Sequence, residues 1–115
     1  MFYRILLAVV VAFAWVSLAV AELKPEEIAV VAARGSRESE ALAKYYCRVR
    51  NVPADNICLV DLPKGETMPR DSWQSTVRPE IQKWLVEHDP DQKIRCLVTV
   101  WDVPLKIAPA PSDPE

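Results

Sequence analysis

At 115 residues the chain is long enough for one small domain, and 14 Lys and Arg against 16 Asp and Glu leave it with a formal net charge of −2. No basic block longer than two residues occurs, so nothing supports a nucleic-acid surface or a patch for anionic membranes. A structural zinc site made of nitrogen and sulfur ligands alone would need all three cysteines and the single histidine His88, and with no C-x-x-C pair among them none is expected.

The chain opens as a secretory leader does. Met1-Phe2-Tyr3-Arg4 gives a short positive start, Ile5 to Val16 is unbroken and apolar, and Ala19-Val20-Ala21 offers the small residues a signal peptidase reads. An uncleaved anchor is the alternative. The continuous apolar run is too short to cross ~30 Å of hydrocarbon as a helix, so cleavage after Ala21 is expected. Residues 1–21 are then a signal peptide, and the protein is exported to the periplasm, cell envelope or exterior with no stable membrane span. An odd cysteine count in an exported chain leaves one thiol unpaired or paired between chains. Cys58 and Cys96 lie in apolar runs and read as small buried hydrophobes, with a single disulfide as the alternative.

Ile28 to Ala33 is short, wholly apolar and β-branched, the pattern of a strand covered on both faces. Arg34-Gly35 interrupts it, and Ser36 is placed to cap a helix with Glu38 and Glu40 in its first turn. Leu42, Tyr45, Tyr46 and Val49 fall at i, i+3, i+4 and i+7, which predicts them as the buried stripe of that helix. Asn51 suits a left-handed exit, and Pro53 forbids continuation. Ile57 to Leu62 is a second strand, ended by Pro63-Lys64-Gly65.

A second helix is expected from about residue 69 to 87, with Pro69 in its first turn and Trp73, Val77, Ile81, Trp84 and Leu85 as its stripe. Pro79 lies inside it and should kink it, at ~3 kcal/mol unless the bend serves packing. Asp89-Pro90-Asp91 is a breaker, and Ile94 to Trp101 is the third strand. Val103 to Ile107 is extended at most. Residues 108–115 hold three prolines and read as a polyproline-type tail or linker.

Strand, helix, strand, helix, strand implies a three-layer α/β domain over residues 22–107, with parallel strands, right-handed crossovers and order 2-1-3. Two open edges and an apolar third strand make this sheet look incomplete, as the N-terminal part of a larger domain or one completed by a partner or by self-association.

Ligands of parallel sheets gather at the carboxyl edge of the strands. Here that edge carries Arg34, Gly35 and Ser36 after the first strand, Asp61 after the second, and Trp101 with Asp102 after the third. Arg34 to Arg37 at a helix start could hold an anion; the plainer alternative is a turn glycine, a capping serine and solvated arginines. Asp61 and Asp102 could share a cation or work as acid and base, against the simpler role of capping turns. His88, at the far end of a helix of about 18 residues and ~27 Å, lies beyond reach of any nucleophile on this edge. No catalytic residue, metal or cofactor is therefore assigned. Trp73 and Trp84 sit on the packing stripe, and Trp101 is the aromatic left for a site.

The segments "ALAKYYCRVRNVPADNICLVDLPKGETMPRDSW", "IQKWLVEHDPDQKIRCLVTVW" and "VPLKI" resemble the N-terminal region of an uncharacterised family of exported bacterial proteins that co-occur with exosortase, a membrane protein-sorting transpeptidase. The resemblance covers about residues 28 to 107. Asp102 stands where a small residue is usual before Val-Pro, and Pro69 where a serine cap is usual. The resemblance implies a longer protein and an envelope or secretion context, with no site residues to carry over. Two functions are expected: a non-catalytic binding protein using the carboxyl edge, or a caspase-like hydrolase whose catalytic residues lie in a missing C-terminal part.

Overall fold

The computed structural model describes residues 22–110; the leader with its expected cleavage after Ala21, and residues 111–115 of the tail, lie outside the described residues. The elements are β1 (Ile28–Ala33), α1 (Arg37–Arg50), β2 (Ile57–Val60), β3 (Thr67–Met68), the helix α2 over residues 70–88, β4 (Cys96–Thr99) and β5 (Lys106–Ile107). The main sheet has the order β2-β1-β4, and both pairings are parallel. The fold is thus α/β, with the expected order of its three main strands.

β1 is buried along nearly its whole length because both of its faces are covered. Val30 and Ala32 pack with Ala43, Cys47 and Val52 on the α1 side. Val31 packs with Cys58, Val60, Met68 and Val77 on the α2 side, where Trp73, Ile81 and Trp84 close the layer. Each fully buried valine here contributes roughly 1.5–3 kcal/mol by leaving water.

α1 starts as expected, with the Ser36 hydroxyl accepting from the Ser39 N–H at 3.3 Å, and ends on Asn51 in the left-handed region at φ 58°. Its buried face is different. The residues turned into the sheet are Ser39, Ala43 and Cys47, with Tyr46 half-buried beside them. Tyr45 and Val49, expected inside, are 54% and 55% exposed, and Leu42 is exposed as well. The cause is a buried hydrogen bond: Ser39 Oγ accepts from the Ala33 N–H at 2.9 Å. That bond fixes the helix rotation and leaves room only for small side chains against β1. The large ones are displaced to the flank.

α2 is continuous but not uniform. Arg70–Ser72 is α-helical, Trp73–Val77 is a π-helical turn, and Arg78–His88 is α-helical again. Pro69 is the N-cap and not a first-turn residue. Pro79 lies two residues beyond the end of the π-turn, and the Arg78 N–H reaches back five residues to the Trp73 carbonyl. The wide turn shifts the hydrogen-bond ladder just before the residue that cannot donate, which is how the helix admits its proline. Trp73 and Trp84 pack on the same cluster, as the stripe requires.

The third strand is shorter than its apolar run. Asp89 accepts from the N–H groups of Lys93 and Ile94, each at 2.8 Å, and this side-chain turn holds Ile94 out of the ladder. At the other end the Val103 N–H bonds the Val100 carbonyl at 3.2 Å and Asp102 takes φ 67°, closing a tight turn over Trp101. The segment expected to be merely extended forms a second small sheet. β5 pairs in parallel with β3, Thr67 opposite Lys106 and Met68 opposite Ile107. Ala108 is tied to it, donating to the Met68 carbonyl and accepting from Arg70 Nε, both at 2.9 Å. This ladder presses Met68 into the core.

Candidate functional site: two cavities at the carboxyl edge

The carboxyl ends of β1, β2 and β4 carry two different surfaces. The first is polar. Gly35, with φ 82°, turns the chain from β1 into α1, and Arg34 just before it sends its side chain towards β2 and α2. The guanidinium donates through Nη1 to Asp61 Oδ2 at 2.8 Å and through Nη2 to the Leu59 carbonyl at 2.8 Å, and pairs with Glu80 Oε1 at 2.7 Å. The hydrogen bond that Arg34 donates to Glu80 is the first cause that raises the Arg34 pKa. The Arg34 N–H donates to the Val60 carbonyl at 2.9 Å, so Val60 faces β1 and the Leu59 carbonyl faces away from it. Arg34 therefore covers an outward-facing carbonyl of β2.

Ser36 is engaged on two sides, accepting from Ser39 and donating from Oγ to Asp102 Oδ2 at 2.5 Å. That contact fastens the exit of β4 to the start of α1. Asp61 and Asp102 consequently serve different partners. A cavity of about 540 Å³ lies over this region, lined by Arg34, Gly35, Ser36, Lys64 and Asp102 among others. Its polar side chains already neutralise one another: Arg34 is held by two carboxylates and a carbonyl, and the Ser36 hydroxyl by a third carboxylate. Arg37 and Lys64 are the remaining cations on its wall.

The second surface is apolar. A cavity of about 850 Å³ runs between the outer flank of α1 and the end of β4. Leu42, Tyr45 and Val49 form one wall, Val98, Val100 and Trp101 the other, and Val103 with Leu105 the end. Trp101 belongs here, apart from the polar cluster, and Asp102 lies at the ridge shared by both cavities. Leu105 is 81% exposed, which is costly for a leucine with nothing to cover it.

Of the residues expected at a site, Arg34, Gly35, Ser36, Asp61 and Asp102 meet at one edge, and Trp101 turns to the neighbouring cavity. Leu42, Tyr45 and Val49, expected in the core, and Leu105, expected in a segment extended at most, build the larger cavity. The signal for them was present: Ser39, Ala43 and Cys47 offer a rival stripe of small residues one position away from the apolar one.

His88 ends α2, exposed, stacked on Trp84 with ring centroids 4.7 Å apart, and its Nδ1 lies 3.1 Å from the Trp84 carbonyl. It lines neither cavity. Cys47, Cys58 and Cys96 are all free thiols. Burial pushes Cys58 up to about 11 and raises Cys47 as well, so neither is a thiolate nucleophile at neutral pH. Among the described residues no group of three or more His, Cys, Asp or Glu could hold a metal ion. No family model, curated protein or solved structure matches the chain.

Proposed function

We propose that this is an exported, non-catalytic binding protein whose docking surface is the apolar cavity between α1 and the end of β4. One observation carries the proposal: α1 leaves Leu42, Tyr45 and Val49 uncovered beside Trp101 and Leu105, while the polar edge groups are engaged with one another. Surfaces of this composition take protein partners, because aromatic and aliphatic walls with a charged rim exclude water around an apolar anchor. Arg50, Glu66 and Asp102 supply the rim.

A hydrolase needs a nucleophile beside a base. The Ser36 hydroxyl has a carboxylate and a capped N–H as its neighbours, and the buried thiols resist ionisation. The hydrolase reading would thus rest on catalytic residues outside those described, whereas the binding reading rests on the uncovered apolar cavity itself. The leader pattern of residues 1–21 supports export, and the resemblance to proteins of exosortase-bearing bacteria supports a role at the cell envelope.

The test is titration with anilinonaphthalene sulfonate, read by the dye and by quenching of tryptophan fluorescence, together with a cooperative melting curve. At protein concentrations too low for self-association the native protein should bind the dye, and Leu105→Ser and Tyr45→Ser should each weaken binding while melting stays cooperative. Dye binding unchanged in both variants would contradict the assignment of the cavity.

A further inference from the structure

We infer that the occupant of this surface is a second copy of the chain, joined through the open edge of β4 in antiparallel register. This rests on the docking reading above and names its partner. The backbone sets the geometry. The Val100 N–H donates to the Val31 carbonyl at 3.4 Å, so by the alternation of a parallel ladder Val100 and Val98 face β1. Leu97 and Thr99 then turn their N–H and C=O groups outward, where no backbone group among the described residues meets them.

Nothing protects this edge. Cys96 to Val100 contains no charge, proline or glycine, the devices by which edge strands avoid pairing. On the α2 side of the sheet Leu97 is 45% exposed, because α2 packs chiefly over β2.

Two identical edges meeting about a two-fold axis normal to the sheet must run antiparallel. Outward-facing residues must also meet outward-facing residues. The register centred on Val98 satisfies both conditions and uses the whole apolar run: Leu97 of each copy exchanges its backbone hydrogen bonds with Thr99 of the other. The same register brings Arg95 of each copy to the strand end that carries Trp101 and Asp102 of the other. A guanidinium then meets an indole and a carboxylate at both ends of the joint, a charge complementarity across the two-fold axis.

The axis keeps both α1 helices on one face. Their Leu42, Tyr45 and Val49 flanks approach each other across the paired strands and close the 850 Å³ cavity from both sides. The sheet grows to the order β2-β1-β4-β4-β1-β2, with no open β4 edge left.

Sedimentation equilibrium of the purified protein tests this, with Leu97→Lys and Thr99→Lys as variants at exposed positions. The native protein should be dimeric, and each variant should weaken the dimer by about tenfold or more while keeping its circular dichroism and cooperative melting. Dimers of undiminished strength in both variants would place the interface elsewhere and overturn the inference. A native monomer that still binds dye in the cavity would overturn the second copy alone. A native monomer that binds no dye would overturn the docking reading with it.

Discussion

The two edges of the sheet are made of equally apolar strands and end differently. Beyond β2, Arg34 reaches across to cover the Leu59 carbonyl and is held there by Asp61 and Glu80, while α2 and Met68 seal the face. Beyond β4 no charged side chain among the described residues does the same, α2 packs on β2 instead, and the large residues of α1 overhang the gap. Strand composition does not decide whether an edge is open. What decides it is whether the neighbouring turns supply a side chain long enough to cover it, and here only the β1–α1 turn does.

The largest effect expected from disturbing this contrast is at Met68, which is 4% exposed and holds the small β3–β5 sheet against the closed face. Met68→Ala should lower stability by about 2–5 kcal/mol in chemical denaturation, as for other large-to-small core changes. A loss under ~1 kcal/mol would mean the small sheet is not part of the closed side.

Arg34→Ala should cost about 1 kcal/mol, since its side chain is 47% exposed and exposed ion pairs stabilise little. Its sharper consequence is structural: with the Leu59 carbonyl uncovered, β2 becomes a second unprotected edge, and the variant should form species larger than the native one in light scattering. Unchanged size would show that Arg34 is not what closes β2.

The pH dependence has a fixed sign. Burial raises the Cys58 thiol from its ordinary value of 9.0 to about 11 in the folded chain, so the folded state binds more protons than the unfolded state between those values. The contribution is fully present below pH 9.0 and is lost as pH rises towards about 11. Stability should fall across that window in the native protein and fall less in Cys58→Ala. Equal slopes would remove Cys58 from the account.

The strand order, the caps of α1 and the packing of Trp73 and Trp84 were legible in the sequence, because each follows from local pattern: apolar runs between breakers, Ser36 before an acidic turn, aromatic residues at helical spacing. What was not legible depended on single long-range contacts. Ser39 bonding Ala33 rotates α1 away from its best apolar stripe, and only that bond raises the small-residue stripe of Ser39, Ala43 and Cys47 above it. Asp89 capping Lys93 and Ile94 shortens β4 by side-chain chemistry inside what read as a breaker. Pairing of Thr67–Met68 with Lys106–Ile107 joins two stretches too short to carry a strand pattern at all. The candidate site divided along the same line. Turn residues at strand ends located the edge, but its polar groups proved to be one another's partners, and the apolar cavity came from residues the stripe had assigned to the interior.

Amide exchange at single residues tests the difference between the edges most directly. With rising protein concentration, the amides of Leu97 and Thr99 should become protected, while those of Ile57 and Leu59 on the outer side of β2 keep a constant rate. Equal, concentration-independent exchange at both edges would contradict the claim that β4 is the edge built to be joined.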